Sequence, residues 1–364
     1  MRYELSKLPL QDLLTPLCAA TSALARVDER ISRSSVGPGW LARTHFSEAC
    51  ASLWVDGELV QLEDLVLYDA GMSVRAPTHE LTIAHDVLRT RRRIFSNPPE
   101  WAMSTEGLRC LRGRGGETDQ SDNAAAMTHE HSSEEGDEDD PLAVHLAAID
   151  ALLARSEVLL AEARTSEPQL RRDRDPLVYE ADWDEDERLA EWRSVVMETE
   201  GLPPLLRAAL LLDAWNVLQV FQHAPWLGRQ LTAALLRQIG ATSAHLATIN
   251  LGLKQIARER RASRDRDTRL KAFLDAITMA AEFGSKEHDR LLLAKQQMQH
   301  RAAGRRQSSK LPQLIELVLS TPMVSAGMIA EALCVTPQGA LKIAAELSLR
   351  ELTGRGRFRA WGVI

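Results

Sequence analysis

The 364-residue chain carries 44 Lys and Arg against 51 Asp and Glu, a formal net charge of −7, with 45% hydrophobic and 26% charged residues. That is long enough for two or three domains and ordinary for a soluble globular protein. It excludes several classes: MRYELSKLPLQ has no apolar signal core, no run of about 18 uncharged apolar residues could span a membrane, and the four cysteines lack CxxC spacing.

Cys18, Cys50, Cys110 and Cys334 therefore read as reduced thiols of a cytoplasmic protein, not as a disulfide or zinc framework. Strand signals are few and Ala/Leu/Arg/Glu-rich periodic runs are long, so the fold class is mostly α. Charge is spread unevenly. From Lys254 onward there are 20 basic and 11 acidic residues, a balance of +9, while residues 1–253 carry −16. A basic C-terminal third on an acidic protein points to one polyanion-facing region. The mixed run Lys254–Lys271, where acids alternate with arginines, reads as solvated helix faces.

In chain order, residues 8–32 predict a helix with Leu13, Leu14, Leu17, Leu24 and Val27 as its apolar positions. SRSSVGPG, 32–39, reads as a loop, followed by helices at about 40–54, 61–68 and 78–94. The last ends in RTRRRIF, a run that could touch nucleic acid or phosphate but is more often a solvated helix end, where cations suit the dipole. These elements make an N-terminal region, residues 1–112. Residues 113–140 are rich in Gly, Ser and acid and predict a disordered linker. His129 and His131 within it lack the rigid frame that a metal site needs. A helical core is expected over 141–303, beginning with an amphipathic helix at 142–164 and another near 186–199.

The chain turns on residues 205–239. Leu206, Leu210, Val217 and Phe221 recur at helical spacing, as do Leu231, Leu235 and Ile239, on either side of the bend HAPWLGR punctuated by Pro225 and Gly228. Apolar faces this wide predict a central helical hairpin. Helices at about 242–261, 267–283 and 286–301 complete the body, and GRRQSSK, 304–310, is a basic linker.

The bend resembles the motif HPFxDGNGR of the Fic family, with His223, Pro225, Trp226, Gly228 and Arg229 in place. SEACASLWVDGELVQLEDL, 47–65, is similar to the family's (S/T)xxxE(G/N) helix through Ser52, Asp56 and Gly57, with Asp replacing Glu. The resemblance implies a Fic-like helical bundle in which His223 would be the base and Arg229 the phosphate ligand of AMP transfer to a protein hydroxyl. It also implies a target-docking flap, which would fall at DPLVYEADW, 175–183. The pattern departs from the family at decisive places. The acidic magnesium ligand and the Gly-Asn-Gly segment have no counterpart, two residues are missing, and Pro225 removes an N–H donor. Metal-aided charge neutralisation contributes several kcal/mol in such reactions, so the expectation is a catalytically silent remnant with no cofactor and no metal. Asp56 is expected to pair with Arg229 as a structural relic. The alternatives are a divergent enzyme transferring AMP or another phosphate-containing group, and a protein-interaction scaffold.

Residues 311–364 read as a winged helix-turn-helix. LPQLIELVLS is its first helix, and Met323-Val324 a short strand. Ser325 caps a second helix with Ile329 and Leu333 inward, Val335 fills the turn, and Thr336 caps a third helix beginning at Pro337 and running to about Leu352. Its core face is Ala340, Ile343, Ala344 and Leu347. LTGRGRFRAWGVI forms two strands around a Gly354-Arg355-Gly356-Arg357 wing. Thr336, Gln338 and Lys342 near the third helix's start, with Arg355, Arg357 and Arg359 on or beside the wing, are the candidate DNA contacts. The reading is a cytoplasmic DNA-binding transcriptional regulator on a Fic-like body, with double-stranded DNA as partner and a homodimer or protein contact as a further candidate.

Overall fold

A computed structural model describes residues 2–5, 8–72, 76–114, 183–303, 310–352 and 359–363. Helix α1, Leu10–Ser32, buries Leu13, Leu17, Leu24, Val27 and Ile31 along one stripe. Helix α2 spans Gly37–Asp56, α3 Leu62–Asp69 and α4 His79–Ser96. A 3-10 turn, the short helix α5 (Thr105–Arg109) and a π turn through Arg114 follow. The next described elements are α6 (Glu185–Glu198), α7 (Pro204–Leu218), α8 (Trp226–Gln238), α9 (Ile249–Leu253) and α10 (Arg258–Arg261). Helix α11 runs 37 residues, Arg266–Ala302. The C-terminal region holds α12 (Leu311–Ser320), β1 (Val324–Ser325), α13 (Ala326–Leu333), α14 (Pro337–Glu346), β2 (Arg350–Glu351) and β3 (Ala360–Gly362). The protein is thus mostly helical, with the described strands confined to this last region.

Helix α7 is the middle of the core, because every residue from Leu205 to Trp215 is buried. A helix apolar on all sides can only sit inside a bundle. Its one acid, Asp213, is fully buried and bonded on both oxygens: the Tyr3 hydroxyl donates at 2.7 Å, and Arg269 of α11 donates from Nε and Nη2. Trp192, Trp215 and Phe221 stack edge to face beside it. Helix α1 packs against α11, and α2 also meets α11, with Trp40 Nε1 donating to the Gly284 carbonyl at 2.9 Å.

A second polar knot holds the segment before α9. Asp28 of α1 accepts from the backbone N–H groups of Ser243 and Ala244 at 2.9 and 3.0 Å, and sits 2.8 Å from His245 Nδ1. Burial alone would raise its pKa, but the hydrogen bonds from His245 and Ser243 outweigh that and hold it down at about 2.

Several expectations need correction. The loop foreseen at 32–39 is shorter, since α2 already starts at Gly37, with Pro38 in its first turn and its φ pre-set for helix. The helices foreseen at 267–283 and 286–301 are one; Gly284 does not break α11 because it lies against Trp40. The region 242–261 is mostly irregular, with only α9 and α10 helical. Phe221 lies beyond α7, which Gln219 ends in the left-handed conformation at φ 48°. The third helix of the C-terminal region stops at Glu346 rather than near Leu352, because Ser348 turns left-handed at φ 50° and Leu349 N bonds back to the Ala344 carbonyl, after which Arg350 and Glu351 pair with β3. Nor is Lys254–Lys271 wholly a solvated face, since Arg269 reaches Asp213. The π turn continues through Arg114, past the expected linker start. The rest of the expected linker 113–140, the helix at 142–164 and all of segment 175–183 but Trp183 lie outside the described residues.

The arginine run ending α4 is the largest departure. Arg91 is 1% exposed, donating to the Leu246 carbonyl at 2.7 Å and lying 3.7 Å from an equally buried Glu48. Glu48 also accepts from Asn250 Nδ2 at 2.8 Å and Leu251 N at 2.9 Å. Burial pushes the Glu48 pKa up and Arg91 down, while their mutual attraction and the donors on Glu48 oppose this. Arg92 chelates Asp69 at 2.7 and 2.9 Å. Only position in the fold separates such a run from a solvated one. Replacing Arg91 with Met should leave Glu48 an uncompensated buried acid and cost about 3–5 kcal/mol, read as a lowered urea midpoint at unchanged slope.

Candidate functional site

In the C-terminal region, caps and turn are set by local chemistry. Ser325 Oγ accepts from Met328 N at 3.2 Å and starts α13. Cys334 takes the left-handed conformation at φ 49° and ends it, with Val335 N closing the turn on the Ala330 carbonyl at 2.9 Å. Thr336 Oγ1 then accepts from Gly339 N at 3.1 Å, and Pro337 opens α14. Ala340 and Ala344 are fully buried, as are Ile329 and Leu333 of α13 opposite, and the small alanines let the two helices approach closely. The sheet order is β1-β3-β2, both pairs antiparallel, with Val324 opposite Trp361 and Glu351 also opposite Trp361.

This places Thr336 exposed at the cap of α14, Gln338 exposed in its first turn and Lys342 exposed at its middle. Thr336 spends its side-chain oxygen on the cap but keeps its exposed position. Arg359 is engaged: its Nε and Nη2 donate to Glu351 Oε2 at 3.0 and 2.8 Å, and its guanidinium lies 5.4 Å over the Trp361 ring. A phosphate would have to share or displace that carboxylate. Arg355 and Arg357 lie outside the described residues.

The C-terminal region is seated on the body by two arginines that carry no sequence signal. Arg43 of α2 donates to the carbonyls of Thr321 at 2.8 Å, Val318 at 3.2 Å and Val363 at 3.4 Å. Burial lowers its pKa to about 10 against the opposing pull of Glu287. Arg301, at the end of α11, donates to the Leu347 carbonyl at 2.9 Å. Gly39 allows the contact with α12, because a Cβ there would lie 2.9 Å from the Leu319 carbonyl oxygen. For Arg43 the acceptors stand some 275 residues away or more, too far for any local pattern to announce them.

The other candidate cluster is at the start of α8. Arg229 is buried and donates to both Asp56 oxygens, Nη1–Oδ1 at 3.0 Å and Nη2–Oδ2 at 2.6 Å, with Nη2 also 3.0 Å from Ser52 Oγ. The expected pairing of Asp56 with Arg229 is therefore present, and bidentate, the strong form of such a contact. Gly57 ends α2 at φ 97°. Gly228 sits face-on to Trp215: a Cβ there would lie 2.2 Å from the indole Cγ. It serves helix packing. His223 lies on the turn before α8 and is not among the groups bonded to Arg229. Among the described residues no group of three or more His, Cys, Asp or Glu could hold a metal ion, and no helix is long and apolar enough to cross a membrane.

Comparison with known proteins agrees with the geometry of the C-terminal region. Residues 311–364 match the family described as an HTH DNA binding domain. Residues 177–303 match a family described as a protein of unknown function, DUF1612. The uncharacterized protein y4cF of Sinorhizobium fredii (strain NBRC 101917 / NGR234) is 54% identical over 380 aligned residues, covering all of both chains. The chain belongs to the family of y4cF. In this chain the helix-turn-helix is joined to a body whose matched description names no activity.

Gly228 gives a direct check on this packing. Alanine there must push Trp215 or shift α8, so Gly228→Ala should lose about 1–3 kcal/mol of stability in thermal or chemical unfolding, the range for overpacking. A neutral substitution would mean that the two helices are farther apart than described.

Proposed function

We propose that the protein is a DNA-binding transcriptional regulator whose body is a catalytically silent, Fic-like helical bundle. The observation that carries the reading is the helix-turn-helix itself. Helix α14 has Thr336 exposed at its cap and Gln338 in its first turn, the end that meets base edges in such motifs, with Lys342 exposed at its middle. The match of 311–364 to an HTH DNA binding domain supports it. The strands flanking residues 353–358 support a winged form, with Arg355 and Arg357 as wing contacts. A cytoplasmic location follows from DNA as the partner. The proposed organisation is an N-terminal region over 1–112, a linker 113–140, a helical core 141–303 and the winged domain 311–364.

The Fic-like reading of the body draws on the Arg229–Asp56–Ser52 cluster joining the two stretches that carry the resemblance. The same geometry speaks against AMP transfer. Arg229 is committed to Asp56, Gly228 faces Trp215 rather than an anion, and HAPWLGR offers no acid for magnesium. With labelled ATP, magnesium or manganese, and host lysate, no protein should acquire label that depends on His223. Label lost in His223→Ala would restore the enzyme reading.

DNA binding is tested by salt-titrated anisotropy on selected and scrambled duplexes. Gln338→Ala should cost roughly 1–3 kcal/mol on the preferred site and relax its preference, since glutamine pairs with adenine through two hydrogen bonds. Lys342→Ala should lower the salt slope by about one phosphate contact. Wild-type protein without salt-dependent binding would make the domain a protein-contact module.

A further inference from the structure

A cavity of about 190 Å³ lies where the body meets the C-terminal region. Its walls come from five places, α3 (Leu62) and the segment with Thr248 and Leu251 among them. Helix α2 gives Trp40, Arg43, Thr44 and Ser47, the middle of α11 gives Phe283, Glu287 and Arg290, and the C-terminal region gives Pro322. The size suits a small organic molecule, since a cavity of about 150 Å³ accepts benzene. The lining is divided in character. Trp40, Leu62, Leu251, Phe283 and Pro322 offer an apolar body, and Phe283 is 44% exposed, large for an aromatic side chain.

The charged side is out of balance. Arg43 and Arg290 share one carboxylate, Glu287, with Arg43 Nε 3.6 Å away and Arg290 Nη2 bonded to it. Two cations and one anion leave the cavity one positive charge in excess. Three of the four Nη–H groups of Arg43 are used on the carbonyls of Val318, Thr321 and Val363. Arg290 is less committed: its side chain is 38% exposed, and among the described residues it hydrogen-bonds to Glu287 alone, through Nη2. The other end of its guanidinium is left to donate to a ligand carboxylate, the charge-assisted and stronger form of hydrogen bond.

We propose that this cavity binds a small monocarboxylate with an aromatic or branched apolar body, its carboxylate on Arg290 and its apolar part against Trp40 and Phe283. The position gives binding a consequence. Pro322 lines the cavity and directly follows Thr321, whose carbonyl Arg43 holds, and only Met323 separates it from β1. A ligand there contacts the seat of the helix-turn-helix, so its occupancy is coupled to DNA affinity. This coupling, though not the site, rests on the DNA-binding reading.

The test uses the full chain in calorimetric titrations with benzoate, phenylacetate and 3-methylbutyrate, with benzyl alcohol and benzylamine as charge controls. At least one carboxylate should bind with a Kd of about a millimolar or lower, and the amine should not bind. Arg290→Gln should weaken binding tenfold or more. Ser47→Leu, which fills the cavity from α2, should abolish it, with unfolding midpoints recorded to show that both variants fold. No saturable carboxylate binding, equal binding of benzylamine, or unchanged binding in both variants would overturn the site. Repeating the DNA titration with saturating ligand should shift affinity at least threefold. Ligand binding without that shift overturns the coupling and keeps the site. If wild type binds no DNA at all, the regulator reading and the coupling fail, while calorimetry still decides the site.

Discussion

Glu48 and Arg91 meet in the interior with both side chains 1% exposed, and the rest of the body is arranged so that neither charge is left alone. Desolvating two ions is expensive, and attraction between them offsets the cost only when the remaining donors and acceptors are also satisfied. Here the extra partners are the Leu246 and Ala247 carbonyls for Arg91, and Asn250 and the Leu251 N–H for Glu48. All four come from one irregular segment before and within α9. That segment makes few regular hydrogen bonds of its own, so the ion pair orders it. Four residues and then eight further along α2, Ser52 and Asp56 receive Arg229 in the same way. A single row on one helix, at a spacing that keeps side chains on one face, thus ties α4, α8 and α9 to α2.

Apolar periodicity made much of this fold legible. The stripes of α1, α7, α12 and α13 follow from leucine and isoleucine spacing, and the caps Ser325 and Thr336 are readable because a hydroxyl just before a helical run has one obvious use. What was not legible is where the reading depended on a distant partner. RTRRRIF has the composition of a solvated helix end, and burial of Arg91 is decided by Glu48, more than forty residues earlier, and by carbonyls beyond residue 245. Gly284 reads as a helix boundary until Trp40 is seen to need the space beside it. The third helix of the C-terminal region has no proline after its first position and no glycine between Gly339 and Gly354, so its stop at Glu346 carries no sequence signal: Ser348 takes the left-handed conformation that glycine usually supplies, and Leu349 N bonds back to the Ala344 carbonyl.

The candidate sites divide along the same line. Asp56 and Arg229 could be matched because each lies in a recognisable stretch, and the two stretches do meet. The meaning of Gly228 was not readable, because a glycine that cradles phosphate and a glycine that admits an indole are the same letter. Trp215 decides between them. Arg43 drew no attention in the sequence, being a lone arginine in an apolar helix. Yet with Arg301 it links body and C-terminal region, and its three acceptors are backbone carbonyls that no side-chain pattern announces.

Those acceptors have an electrostatic consequence. Val318 and Thr321 lie at the C-terminal end of α12, and Leu347, which receives Arg301, caps the C-terminal end of α14. Both are negative dipole ends with carbonyls that lack helical partners. The body therefore uses its arginines to cover the ends that would repel a polyanion. The start of α14, its positive end, is left outward with Thr336, Gln338 and Lys342 exposed beside it. The acidic balance of residues 1–253 acts in the same direction. A duplex is repelled by the acidic balance of residues 1–253 and meets its positive charge from Lys254 onward, so approach from the C-terminal side agrees with the cap geometry.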